Sequence, residues 1–263
     1  MDLGLKGRTA IVGAASKGLG RAVAEEFAIE GCNVAICART ADDLEKTAIE
    51  IEQASRAKVF RQALDVTNFQ AVSSFVEAVE RQFGRIDICV TNAGGPPAKR
   101  FLDITLEEWR AAVDLTLLST VYFAREVLPR MQQNRWGRLL MITSVSVKQP
   151  IAGLLLSNSL RAAVTGLAKT LANEFGPSGI TVNNVCPGYT LTDRLSELAE
   201  KQAQMSGVQP KQIFDSWSAE IPIGRLANPD EFAALVAFLA SERASSINGT
   251  TIAVDGGWVK GLL

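Results

Sequence analysis

The chain has 263 residues, 47% of them hydrophobic, and its 27 basic and 28 acidic side chains leave a formal net charge of −1. A chain of this length can bury one large core, while interspersed, nearly balanced charge argues against an extended basic face for nucleic acid and against a polybasic membrane anchor. There is no histidine, and Cys32, Cys37, Cys89 and Cys186 lack paired ligand spacing, so neither a metal site nor a Ser-His relay is expected and the cysteines read as small core side chains.

No apolar run approaches the roughly 20 residues that span a bilayer, and the opening residues Met1 to Gly7 lack the charged-then-hydrophobic build of a secretion signal. A soluble, cytoplasmic protein is expected. The first predicted strand, Thr9 to Val12, runs into Gly13-Ala14-Ala15-Ser16-Lys17-Gly18-Leu19-Gly20, with a helix opening at Gly18 and a second strand over Asn33 to Ala38. Glycine lets the backbone turn sharply and approach a pyrophosphate with no Cβ in the way, and a helix start aims free N–H groups and its positive dipole end at phosphates. Strand, glycine turn, helix and second strand within one βαβ unit form the context that a dinucleotide fingerprint requires.

An acid at the end of the second strand would hydrogen-bond a ribose 2′-hydroxyl and repel a 2′-phosphate. Here Ala38 is followed by Arg39. Arg39 and Lys17 are placed to meet a 2′-phosphate, so NADP(H) is expected in preference to NAD(H); the competing reading leaves both cations in solvent.

Further apolar runs at Val59-Phe60, Ile86 to Thr91, Leu139 to Thr143, Thr181 to Cys186 and Thr250 to Val254 alternate with stretches of helical spacing. Helix starts are marked by Thr40 with Asp43, Thr105 with Glu108 and Asn228 with Glu231. Strands that are apolar throughout, joined by helices, mean a parallel sheet covered on both faces. The expected fold is α/β: a single-domain Rossmann fold over residues 1–263, a doubly wound parallel sheet of about seven strands with helices on both faces. Residues 188–225, broken at Gly207 and Pro210, read as a two-helix substrate lid beyond the sixth strand, or else as a hairpin that packs on a neighbouring subunit.

Together with the glycine turn, Asp65-Val66, Asn92-Ala93-Gly94, Ser144, Pro187-Gly188 with Thr190 and Thr192, Ile221 to Arg225, and Val254 to Gly257 make the chain similar, over essentially its whole length, to the short-chain dehydrogenase/reductase family, most nearly its 3-oxoacyl-acyl-carrier-protein reductase-like branch. The resemblance implies that Asp65 and Val66 flank the adenine and that Asn92, Ala93 and Gly94 shape the fourth strand's end beside the cofactor. It also implies that Pro187, Gly188, Thr190 and Thr192 meet the nicotinamide carboxamide.

Family members carry a Tyr and, four residues on, a Lys on one helix face, with a Ser opposite and an Asn on a preceding helix. Only the Ser is kept, as Ser144; the other positions fall on Ser157, Arg161 and Thr116. A phenol can exchange a proton near neutrality when its pKa is pulled down, whereas an alkyl hydroxyl ionises far less readily. Arg161 keeps a permanent charge and a donor fork for the nicotinamide ribose but relays no proton. Tyr189 and Lys148 are alternative donors, each with a plainer reading as lid packing or a solvated loop charge.

Two functions follow: an NADP(H)-dependent carbonyl reductase of altered site acting on an apolar or acyl-chain small molecule, or a catalytically impaired coenzyme-binding homologue serving as sensor or partner subunit. The helices holding Trp109 to Met131 and Leu154 to Phe175, apolar on more than one face, resemble those that pair subunits in this family, so a homotetramer is expected.

Overall fold

A computed structural model describes residues 2–262; Met1 and Leu263, the ends of the expected domain, lie outside them. Seven parallel strands are ordered β3-β2-β1-β4-β5-β6-β7. They are β1 (Thr9–Val12), β2 (Asn33–Ala38), β3 (Val59–Ala63), β4 (Ile88–Thr91), β5 (Gly137–Ile142), β6 (Ile180–Pro187) and β7 (Thr251–Val254). The chain leaves β1 in one direction through β2 and β3 and returns to add β4 on its other side. This reversal opens a crevice at the carboxyl ends of β1 and β4.

Alternate residues of each strand face opposite layers. From β1, Ala10 and Val12 pack with Val23 and Phe27 of helix α1 (Gly18–Ile29) and Phe232 and Val236 of α9 (Pro229–Ala240). Ile11 points the other way, into the layer that holds Phe75 and Val79 of α3 (Phe69–Phe83), Phe123 and Val127 of α5 (Ser119–Gln133) and Val164 of α6 (Leu155–Phe175). All four cysteines are free and buried.

Several boundaries differ from the apolar runs. The β3 strand reaches Ala63 rather than Phe60, because Arg61 and Gln62 still pair with Ile36 and Cys37 although their side chains are polar. Edge position permits this. Thr40 precedes α2 (Ala41–Ser55) as expected, but its hydroxyl makes no capping bond. Thr105 and Glu108 do form the reciprocal box at the start of α4 (Leu106–Val113), and Glu231 reaches back to the Asn228 N–H at 2.7 Å.

The stretch from Trp109 to Met131, read as one helical segment, is interrupted. A π-helical turn over Asp114–Leu118 separates α4 from α5. There the Ser119 and Thr120 hydroxyls bond back to the carbonyls of Leu115, at 2.5 Å, and Thr116, at 3.2 Å, a competition with the helical ladder that bends helices. Beyond β6, α7 (Asp193–Ser206) and α8 (Pro210–Glu220) form the expected helical pair, split between Gly207 and Pro210. Leu195, Ile213 and Trp217 are buried beneath it, whereas Leu191 and Met205 face solvent.

Candidate active site

The glycine turn is shaped by close backbone approach. A Cβ on Gly20 would lie 2.5 Å from the Ala14 carbonyl oxygen and 2.9 Å from Asn92 Nδ2, and one on Gly13 would lie 2.9 Å from the Asn92 carbonyl. Ala14 itself adopts the left-handed region at φ 48°. The turn is tied to its surroundings through Gly13 N–H to the Val90 carbonyl, Ala15 N–H to the Cys37 carbonyl, and the Thr47 hydroxyl to the Ser16 carbonyl at 2.8 Å.

At the start of α1 no side chain caps the free N–H groups and no acid occupies the first turn. An uncapped helix start beside glycines that leave no room for a Cβ fits a dinucleotide pyrophosphate. Lys17 and Arg39 are both exposed. Lys17 lies 3.9 Å from Asp193, so the first residue of α7 meets the glycine turn. Asp65 accepts from the Thr67 N–H and hydroxyl, both at 2.9 Å, and Val66 beside it is buried. The Pro187-Gly188 turn presses on Asp255, whose Cβ would be 2.7 Å from a Cβ at Gly188. Thr190 is buried, and the Thr192 hydroxyl caps α7 by accepting from the Leu195 N–H at 3.3 Å.

Of the four candidate catalytic side chains, two line one small cavity. Arg161 and Thr116 share a small cavity with Asn92, Ala93, Gly94 and Thr143 at the carboxyl ends of β4 and β5. Its volume of about 10 Å³ is room for roughly one water. The Nη1 of Arg161 donates to the carbonyls of Ile142 at 3.0 Å and Thr143 at 2.8 Å. Arg161 is partly exposed as a whole residue, yet loss of hydration dominates at its guanidinium and pulls its pKa down to about 10. It stays protonated at neutral pH. The Thr116 hydroxyl is buried with no hydrogen-bond partner among the described residues.

Ser144 and Ser157 lie outside that cavity's lining. Ser144 accepts from the Ser146 N–H at 3.1 Å. Ser157 is buried one helical turn before Arg161 on α6, and among the described residues nothing bonds its hydroxyl. Asn158, which sequence reasoning passed over, pins the preceding loop by accepting from the Ile151 N–H at 3.3 Å and donating to its carbonyl at 3.0 Å. Thr143 was also missed; its hydroxyl sits 3.1 Å from the Cys186 thiol. Nothing in residue type marks either position, because both roles arise from neighbours distant in sequence.

Residues 13–259 match the family described as Enoyl-(Acyl carrier protein) reductase. The chain is a short-chain dehydrogenase/reductase. It is 36% identical over 256 residues to the oxidoreductase UcpA of Salmonella typhimurium, covering 96% of this chain and 95% of UcpA. With the 3-oxoacyl-(acyl-carrier-protein) reductase FabG of Aquifex aeolicus it shares 31% identity over 257 residues, 98% and 99% of the two chains. The crystal structure of L-sorbose reductase from Gluconobacter frateurii, complexed with NADPH and L-sorbose, superposes with a TM-score of 0.95 at 33% identity, covering 100% of both chains.

In this short-chain dehydrogenase/reductase the alternative proton donors stand apart from the cavity. The Tyr189 ring stacks on Trp217, with centroids 4.8 Å apart, and meets Trp258 edge-on at 5.3 Å. Burial, and then Glu220, push its pKa up, opposite to what a proton exchanger near neutrality needs. It packs among aromatic side chains. Lys148 is partly exposed, pairs with no acid among the described residues, and is near enough to the Cys186 thiol to oppose its upward shift.

Proposed function

We propose that this chain is an NADP(H)-dependent oxidoreductase acting on the carbonyl or alcohol of a small apolar or acyl-chain molecule through an altered active site. The observation that carries the reading is the uncapped, acid-free start of α1 against a glycine turn with no room for a Cβ, flanked by Lys17 and Arg39 where an NAD-preferring site would present an acid. The NADPH seen in the structurally similar L-sorbose reductase supports the same choice.

In this reading Gly13, Ser16, Lys17, Gly18, Leu19 and Gly20 hold the phosphates, Arg39 assists Lys17 at the 2′-phosphate, and Asp65 and Val66 border the adenine. Asn92, Ala93, Gly94, Pro187, Gly188, Thr190 and Thr192 border the nicotinamide half, with Arg161 at its ribose. When bound, NADPH supplies the hydride. Ser144 and Ser157 orient and polarise the substrate carbonyl, Thr116 keeps a polar wall on the Arg161 cavity, and water delivers the proton, Tyr189 being held among tryptophans. Residues 188–225 act as the lid of a single domain over 1–263, their buried Leu195, Ile213 and Trp217 seating them in one cluster with Val145 and Trp258.

Four free buried thiols favour a reducing, cytoplasmic setting. No described helix is long and apolar enough to cross a membrane. Exposed Phe101, Leu102 and Leu106 around the start of α4 supply an apolar patch for assembly, for which we propose a homotetramer.

Calorimetric titration tests the reading. NADPH is expected to bind about tenfold to a hundredfold tighter than NADH, and Lys17→Ala with Arg39→Ala to remove the difference. Equal or tighter NADH binding sinks the cofactor assignment. The substitutions at Ser157, Arg161 and Thr116 favour a second reading, a coenzyme-binding homologue without turnover. Coenzyme oxidation over a carbonyl panel separates the two: intact NADPH binding with no turnover selects the second.

A further inference from the structure

Arg161 is a partly exposed cation with no acid to balance it among the described residues. Its Nη1 serves the Ile142 and Thr143 carbonyls, which leaves the N–H groups on Nε and Nη2 without a protein acceptor among the described residues. No carboxylate among the described residues pairs with it, and the Cys186 thiol beside it stays neutral, its own pKa raised by burial. Lys148, the other charge felt by that thiol, is a second cation rather than a counter-ion. The cavity that Arg161 lines also holds the partnerless Thr116 hydroxyl. It opens at the carboxyl ends of β4 and β5, the side on which open α/β sheets hold their ligands.

We infer that Arg161 makes this site discriminate between the two redox forms of a nicotinamide coenzyme, retaining the reduced form and rejecting the oxidised one. The inference rests on the reading of the cleft as an NADP(H) site. The reduced ring is uncharged, whereas loss of a hydride with its two electrons leaves the oxidised ring with one positive charge. Two unit cations about 10 Å apart, at an effective dielectric of about 20, repel enough to shift an equilibrium about tenfold. A neighbouring carboxylate or phenolate would offset the repulsion, but positions 157 and 116 present neutral hydroxyls. By linkage, tenfold tighter binding of the reduced form raises the potential of the bound coenzyme by about 30 mV for a two-electron couple. The protein thus holds a weaker hydride donor than free NADPH and releases the oxidised form readily.

The test is titration of the full chain with NADPH, with NADP⁺, and with the phosphoadenosine diphosphoribose portion that lacks the ring. NADPH is expected to bind at least about tenfold tighter than NADP⁺, and the ringless portion at least as tightly as NADP⁺. Arg161→Gln, which keeps a donor for the two carbonyls but drops the charge, is expected to collapse the NADPH to NADP⁺ ratio, and Arg161→Lys to preserve it. A wild-type ratio near one, or an unchanged ratio in folded Arg161→Gln, overturns the inference. If the glutamine variant does not fold, the wild-type comparison decides: NADP⁺ binding tighter than the ringless portion means that the site welcomes the charged ring, and the inference fails. Absence of binding by all three ligands is the separate result that removes the NADP(H) site itself.

Discussion

Arg161 of α6 donates to the backbone carbonyl of Thr143, at the end of β5, over 2.8 Å. One charged side chain therefore fixes the residue immediately before Ser144. Both bonds come from one nitrogen, Nη1, which spans the Ile142 and Thr143 carbonyls together. The position thus anchors the strand end as well as facing the cleft.

Gly20→Ala tests the cofactor cradle. The added Cβ would meet the Ala14 carbonyl oxygen at 2.5 Å and Asn92 Nδ2 at 2.9 Å, and the backbone oxygen cannot swing aside. Coenzyme binding is expected to weaken at least tenfold, with stability lowered by about 1–3 kcal/mol. Fluorescence titration alongside a thermal melt checks both; an unaltered affinity would show that the turn is not the binding element.

Ser157→Tyr places a phenol one turn before Arg161. If proton delivery limits turnover, coenzyme oxidation with a reducible carbonyl is expected to rise by about 10²-fold or more, the usual contribution of a positioned acid. NADPH affinity should stay within a few-fold. Rates that do not rise in a folded, coenzyme-binding variant would place the bottleneck elsewhere.

Asp87 has a different duty. It is completely buried at the start of β4, accepts from the Thr9 N–H at 2.9 Å, and is met by the guanidinium groups of Arg8 and Arg85. Asp87→Ala strands the buried Thr9 N–H and takes the acid from Arg85, while Arg8 keeps Glu242, and is expected to cost about 1–3 kcal/mol in a urea melt. Being on the amino-end side of the sheet, it should leave the coenzyme affinity of the remaining folded protein unchanged.

Glu231 provides a pH signature. Hydrogen bonds from Arg225 and the Asn228 N–H hold its carboxyl down at about 2, against an ordinary value of 4.5. A depressed folded-state pKa contributes stability that is complete above the unfolded value and fades as pH falls toward the folded one. The melting-temperature gap between wild type and Glu231→Gln is therefore expected to be constant above about pH 5 and to close between roughly 4.5 and 2. Both partners are solvent-exposed, so the gap is small and shrinks with salt. A gap that widens on acidification would contradict the assignment.

The amino-acid sequence alone determined the fold class, the glycine turn and the split helical pair after β6, since these depend on local rules: strand and helix periods, the conformational freedom of glycine, and Pro210 at a helix start. It also singled out Thr116, Ser157 and Arg161 as candidate positions, through family resemblance alone. It could not divide the helix at Asp114–Leu118, a break produced by hydroxyls bonding back onto the chain under tertiary packing. Nor could it divide the four candidate catalytic positions. Tertiary structure decided that Thr116 and Arg161 face one cavity while Ser144 and Ser157 do not line it, and that Tyr189 sits against Trp217 and Trp258. The physical reason is that a side chain's partners are set by how helices and strands far apart in sequence come to lie together, and the burial and charge environment of Arg161 exist only after that packing is complete.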